Sequence, residues 1–158
     1  MGGLVTNYVV GFMLDEAREH VVLIEKNRPA WQVGKFNGVG GKVEPGETVQ
    51  AAMSREFEEE TGMITAGEWW EPMCGIEWPE DDRVDGTRAR VDFLRYVYSG
   101  ALWRRIQTKT DEGVHVVRTS LVQSIPVIPN LRWLVPLACY TADRYAPFTI
   151  QAHVAEAL

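Results

Sequence analysis

Residues 41–63 read GKVEPGETVQAAMSREFEEETGM, and their second half gathers Glu56, Glu58, Glu59 and Glu60. The composition is helical from residue 48 to 61, with Thr48 as N-cap and Gly62 as the C-terminal stop. At about 100° per residue, with Val49 as zero, Ala52 falls at about 300°, Met53 at about 40° and Phe57 at about 80°, which marks the buried arc. On the same wheel Glu56 falls at about 340°, Glu60 at about 20° and Glu59 at about 280°, inside that arc or at its edge. Ser54, Glu58 and Thr61 are expected on the opposite side. A solvated charge run would turn all its carboxylates away from the core, and here only Glu58 does so.

Carboxylates drawn toward a core need compensation. Each buried, unpaired charge costs several kcal/mol, and Glu56 and Glu60, four residues apart, repel each other as well. A divalent cation would remove both penalties. Ligation by oxygen alone suits Mg2+, with Mn2+ as the alternative. The glycines ahead of the helix fit this chemistry. Gly34, Gly38, Gly40, Gly41 and Gly46 read as a loop. Gly40 and Gly41 let backbone approach a ligand closely, and a glycine carbonyl can add an oxygen ligand. Lys42 can neutralise a phosphate, although the Ser or Thr of a Walker A sequence is replaced by Val43.

Other elements must position this segment. Residues 8–14 and 21–25, apolar and β-branched around a polar turn, read as an antiparallel hairpin. Residues 69–78 and 89–98 alternate as strands on either side of a polar loop that contains Pro79, Glu80, Asp81 and Asp82. Residues 114–117 make another strand and 148–154 a last one. Residues 131–142 read as a second helix capped by Asn130, with Pro136 inside it to kink or shorten it. This is an α+β pattern: a mixed sheet flanked by helices, not a doubly wound series.

The 158 residues are expected to form a single domain, 1–158. A net charge of −6 disfavours a nucleic-acid polymer as partner, while a local cation still admits a small phosphorylated ligand. The apolar run near the start is too short for a membrane span. Met1, Gly2 and Thr6 fit the loose myristoylation pattern, which reads as a chance match. Cys74 and Cys139 form neither a metal-binding spacing nor a disulfide framework, which points to a reduced, cytoplasmic setting. The sheet edges allow a homodimer without requiring one, so monomer and homodimer both stand. His20, His115 and His153 are isolated and receive no role.

Residues 41–63 match the Nudix box, G-x5-E-x7-R-E-U-x-E-E-x-G-U, at every fixed position: Gly41, Glu47, Arg55, Glu56, Glu59, Glu60 and Gly62. Phe57 and Met63 fill the bulky apolar positions, where aliphatic residues are more usual. The order of strands and helices around the box also resembles the Nudix fold, an α/β/α sandwich. The resemblance implies a Mg2+-dependent hydrolase of a nucleoside diphosphate linked to another group. It implies Glu56, Glu59 and Glu60 as metal ligands, completed by the carbonyl of Gly40. Glu56 or Glu59 would deprotonate water, and Arg55 would orient Glu47 through a bidentate ion pair. Family members also place an acidic ligand on a distant loop. Glu112 is the candidate here and Asp111 the second, with solvated turn acids as the other reading.

The run WQVGKFNGVGGK, residues 31–42, resembles the oxidised-purine nucleoside triphosphatases of the family, in which the position of Asn37 contacts the base. An amide offers a purine edge both donor and acceptor, and a simple Asn-Gly turn is the alternative. Trp31 either stacks on a base or fills the core. Around residues 128–131 those relatives carry an aromatic residue and paired aspartates. This chain has Ile128, Asn130 and Leu131 instead, which weakens the case for 8-oxoguanine. Asn130 either binds a base or caps its helix. Pro79 resembles a proline of the ADP-ribose-cleaving members, so a dinucleotide-type pyrophosphatase is the second reading. A non-catalytic nucleotide-binding domain is the third, and the intact glutamates argue against it.

Overall fold

A computed structural model describes residues 4–78, 88–140 and 147–152. Its strands are β1 (Val5–Asp15), β2 (His20–Glu25), β3 (Phe36–Asn37), β4 (Val39–Lys42), β5 (Glu71–Trp78), β6 (Arg88–Tyr98), β7 (Val114–Arg118) and β8 (Phe148–Gln151). Its helices are α1 (Val49–Thr61), α2 (Leu102–Arg105) and α3 (Leu131–Cys139). One mixed sheet runs β3-β2-β1-β6-β5-β8, with β4 added on β1 and β7 on β2. Met1, Gly2, Pro79, the acidic loop after it, Ala142, His153 and Val154 lie outside the described residues, so the readings placed on them are not addressed.

The hairpin is present at its turn, where Leu14 pairs with Val21. Asp15 closes that turn by accepting from the backbone N–H groups of Glu19 (2.8 Å) and His20 (3.1 Å) and by contacting His20 Nδ1 at 2.7 Å. His20 is thus a turn residue. His115, also without an assigned role, meets Phe36 edge-on at 5.5 Å.

Beyond the turn β1 and β2 splay apart, and residues 36–42 enter the gap. Ile24 of β2 pairs with Asn37 on one edge and with Val114 on the other. Val10 and Gly11 of β1 pair with Gly40 and Val39. The glycine-rich segment is therefore two short strands that cross from β2 to β1, not the expected loop. Glycine is required because the crossing is tight. A Cβ on Gly38 would lie 2.5 Å from Val10 Cγ1, and one on Gly40 would run into the carbonyl of Val9.

Strand alternation then sorts the core into two layers. Val9 and Met13 face α1 and pack with Ala52, Met53, Phe57, Trp70 and Leu94. Phe12 and Leu14 face α3 and pack with Phe93, Leu131, Leu134 and Val135. Burying a side chain such as Phe57 contributes about 1.5–3 kcal/mol, so α1 is fixed to the sheet along its apolar stripe.

The α3 helix ends at Cys139, earlier than the sequence suggested, with Tyr140 already extended. Pro136 sits inside it and cannot donate to the carbonyl of Arg132. Gln123 Nε2 donates to that carbonyl instead, at 2.7 Å. Asn130 occupies the N-cap position but does not cap. Its backbone is already helical because Leu131 and Arg132 bond back to Ile128 and Pro129. A capping side chain needs extended backbone to reach the first turn. No helix among the described residues is long and apolar enough to cross a membrane.

Candidate functional site

The turn before α1 sets the site up. Glu47 N–H donates to the Glu44 carbonyl (3.0 Å), with Pro45 and Gly46 between them and Gly46 at φ 82°. Proline followed by a positive-φ glycine is the type II pattern. The Glu47 carboxylate also accepts from Glu44 N–H at 2.8 Å, which fixes its side chain beside the helix start. Thr48 Oγ1 accepts from Ala51 N–H (3.1 Å) as the expected N-cap. Gly62, at φ 75°, closes the helix by donating to the Glu58 carbonyl.

Arg55 is the hub of the arrangement. Its Nε and Nη2 donate to the two oxygens of Glu47, each at 2.9 Å, which is the expected bidentate pair. Nη1 donates to Glu56 Oε1 at 2.9 Å and reaches Glu59 at 3.4 Å. Nη2 also donates to the Lys42 carbonyl at 2.8 Å, which ties α1 to β4. Glu47 first, and then Glu56, raise the pKa of the guanidinium against the opposing effect of burial. In return Arg55, followed by the Glu44 N–H, holds the carboxyl of Glu47 below its ordinary value.

Glu56 is part-buried, its side chain 12% exposed. Burial pushes its pKa up; Arg55 opposes the shift without cancelling it, and Glu59 and Glu60 add to it. Its carboxylate lies against Gly41, where a Cβ would sit 2.4 Å from Oε1. Glu60 is half-buried and accepts from Thr110 Oγ1 at 2.8 Å. Glu59 is 56% exposed, so it stands outside the arc and resembles Glu58 more than Glu56. Two residues expected opposite the core are also held by protein. Thr61 is fully buried and donates to the Phe57 carbonyl at 2.6 Å. Ser54 donates to the Thr65 carbonyl. The chain after Gly62 folds back along α1 and covers that side.

Among the described residues, no three acidic, histidine or cysteine side chains converge on one point as they stand. The donor set nevertheless fits a hard divalent cation: oxygens only, one part-buried carboxylate whose desolvation Arg55 does not fully offset, and glycine backbone beside it. Glu112 is placed elsewhere. It is 3% exposed, and its oxygens accept from Lys26 Nζ (2.9 Å) and Asn27 N–H (2.7 Å). Burial raises its pKa, but Lys26 and that N–H outweigh the burial and hold it low. Asp111 pairs with Arg28 at 3.2 Å. Nothing in the sequence announced these contacts, because the partners lie more than eighty positions apart.

The candidate nucleotide contacts come from four segments, two of which are tied together where Phe36 bonds to Pro126 and Ile128. Trp31 lies in a short 3-10 turn, 59% exposed, so the core reading is excluded. Asn37 Oδ1 accepts from Gly38 N–H at 2.8 Å at the end of β3, so the pair is part of the strand crossing and not a turn. Asn130 Oδ1 is buried with no hydrogen-bond partner among the described residues. Lys42 pairs in register with Tyr8, and strand alternation places its side chain on the face away from α1. Gly40, two residues before, pairs with Val10.

A family model for the NUDIX domain matches residues 5–132. An oxidized purine nucleoside triphosphate hydrolase of Danio rerio is 45% identical over 42 residues. That match spans 27% of this chain and 27% of the relative's length. The MutT protein of Bacillus halodurans superposes with a TM-score of 0.69 at 19% identity, over 92% of this chain and 89% of that one. The NUDIX domain of Shewanella oneidensis NrtR, solved with ADP ribose, superposes with a TM-score of 0.65 at 18% identity, over 87% of each chain.

Proposed function

We infer the function from one established premise: the chain belongs to the Nudix family. It is a Nudix hydrolase acting on phosphoanhydride bonds, and such hydrolases generally use divalent metals. The finer reading is a Mg2+-dependent pyrophosphohydrolase, with Mn2+ able to substitute. It cleaves a purine nucleoside triphosphate to monophosphate and pyrophosphate. The observation that carries this reading is the carboxylate of Glu56, part-buried against the backbone of Gly41 and only partly compensated by Arg55. The identity to the Danio rerio triphosphate hydrolase over 42 residues supports the substrate class.

Glu56, Glu59 and Glu60 would hold the cation, with the carbonyl of Gly40 beside them. When bound, the cation lowers the pKa of water and screens the charge of the phosphates. Glu56 or Glu59 takes the proton from the attacking water. Arg55 does not act on substrate; it sets Glu47 and Glu56 against β4. Lys42, Asn37, Trp31 and Asn130 are the proposed nucleotide contacts. Gly38 takes one of the two lone pairs on the Asn37 Oδ1, which leaves the Nδ2 donor and the second lone pair to offer a purine edge.

A second reading, cleavage of ADP-ribose, is favoured by the likeness to a NUDIX domain solved with that ligand. A nucleotide panel incubated with Mg2+, with products resolved by phosphate position, decides. Monophosphate and pyrophosphate from a purine triphosphate are expected. AMP and ribose 5-phosphate from ADP-ribose would replace the first reading with the second. No turnover of any member would leave a binding domain.

A further inference from the structure

We propose that Glu112 is a positioning residue: with Lys26 it clamps the loop that carries Trp31 and does not ligate the catalytic cation. The proposal rests on the nucleotide-hydrolase reading and assigns this residue a different task from the one its acidity suggests. Both carboxylate oxygens are already engaged, Oε1 by the Lys26 ammonium and Oε2 by the Asn27 N–H. The pair is well shielded, with Lys26 19% and Glu112 4% exposed at their side chains. A cation on Glu112 would have to displace the ammonium and leave it beside a like charge, a costly arrangement away from bulk water.

The contacts around the pair form one continuous seam. Glu25 N–H donates to the Gly113 carbonyl (2.8 Å), which extends the β2–β7 pairing by one residue. Asn27 Nδ2 donates to the Asp111 carbonyl (3.2 Å), and Arg28 pairs with the Asp111 carboxylate (3.2 Å). The backbone of Lys26 then closes the neck of the loop. Its N–H donates to the Lys35 carbonyl, and its own carbonyl accepts from Gly34 N–H, each at 2.9 Å. The side chain of Lys26 holds Glu112 while its main chain holds residues 34 and 35. Trp31 sits at the apex between them, and β3 starts directly after. The neighbouring loop gives the glutamate helix a hydroxyl instead of a carboxylate: Thr110 Oγ1 donates to Glu60.

The test uses the whole chain as Glu112→Gln, Lys26→Met and, for reference, Glu60→Gln. Three quantities are read: Mn2+ affinity by electron paramagnetic resonance without nucleotide, amide hydrogen exchange at residues 26–35, and KM against kcat. An amide at 112 sets a donor against a donor and breaks the clamp. Glu112→Gln is expected to keep Mn2+ affinity within about twofold, while Glu60→Gln weakens it by about tenfold or more. Exchange at Asn27 and Gly34 should accelerate by about tenfold in both clamp variants, the signature of local opening. KM for the nucleotide should rise by about tenfold with kcat changed by less than about threefold, because loop placement governs binding. Loss of Mn2+ affinity in Glu112→Gln would overturn the proposal and make Glu112 a ligand. Unchanged exchange in both variants would overturn it as well. If Glu112→Gln does not fold, Lys26→Met, which keeps the apolar stem, carries the same readouts. Failure of the function reading shows separately, as absent turnover in the unaltered protein, and leaves the exchange and Mn2+ measurements intact.

Discussion

The carboxylate of Glu56 fills the space that a Cβ on residue 41 would need. An added methyl would lie 2.4 Å from both Cδ and Oε1. Gly41→Ala therefore pushes the part-buried carboxylate away from β4. A shift of about 1 Å in a catalytic group costs about 100-fold in rate, and that loss in kcat is the expected result. The fold should persist, since the clash falls on a side-chain end and not on backbone. Circular dichroism alongside steady-state kinetics checks both halves, and retention of full turnover would remove Glu56 from the site.

Arg55→Lys tests the fork. A lysine ammonium cannot bond both oxygens of Glu47, Glu56 and the Lys42 carbonyl from one position, as the guanidinium does. Loss of an orienting partner of this kind costs about 10- to 100-fold in activity. The same range is expected here in kcat/KM, with a lower melting temperature because α1 loses its tie to β4.

Glu56 makes stability depend on pH and on cation. Burial raises its pKa in the folded state above the 4.5 of an exposed glutamate. The folded chain thus binds the proton more tightly than the unfolded chain, and stability falls as pH rises from that value through the folded pKa. Glu56→Gln removes the cost. Its urea midpoint should exceed that of the unaltered protein at neutral pH in metal-free buffer, and the two should coincide at pH below about 4. Saturating Mg2+ should stabilise the unaltered protein more than the variant. A variant already weaker at neutral pH without metal would mean that the Arg55 pair outweighs burial.

Glu59→Gln and Glu60→Gln are each expected to lower kcat by at least about 100-fold, as loss of a cation ligand does. Glu59 is exposed, so its replacement should leave stability within about 0.5 kcal/mol. Full activity in both variants would take the proposed cation out of the mechanism.

Trp31→Ala separates nucleotide contact from packing. The ring is 59% exposed, so the melting temperature should hardly move. Base–aromatic stacking contributes about 1–3 kcal/mol, and KM for a purine nucleotide should rise by about tenfold or more with kcat preserved. Equal KM values would exclude stacking.

Local signals were legible in the sequence and non-local ones were not. The ends of α1 followed from Thr48 and Gly62, and its stripe from the spacing of Ala52, Met53 and Phe57. Glu47, Arg55 and Glu56 came together as their spacing in the box implied. The glycine segment was misread because its composition signals a turn, whereas its glycines serve two strands crossing too closely for side chains. The burial of Thr61 was missed because the returning chain at residues 63–70 covers a side that the helix wheel leaves open. The Lys26–Glu112 pair had no local pattern at all; it exists only because β7 lies beside β2. Asn130 failed as a cap because the turn before it had already become helical.

Arg55 has a consequence for how this protein meets its environment. One guanidinium already neutralises much of the negative charge at the start and middle of α1, so the helix can settle on the sheet before any ion arrives. On the proposed function, uptake of the divalent cation is then an exchange of partners on a finished scaffold, and its removal would silence the site without exposing the chain to proteases.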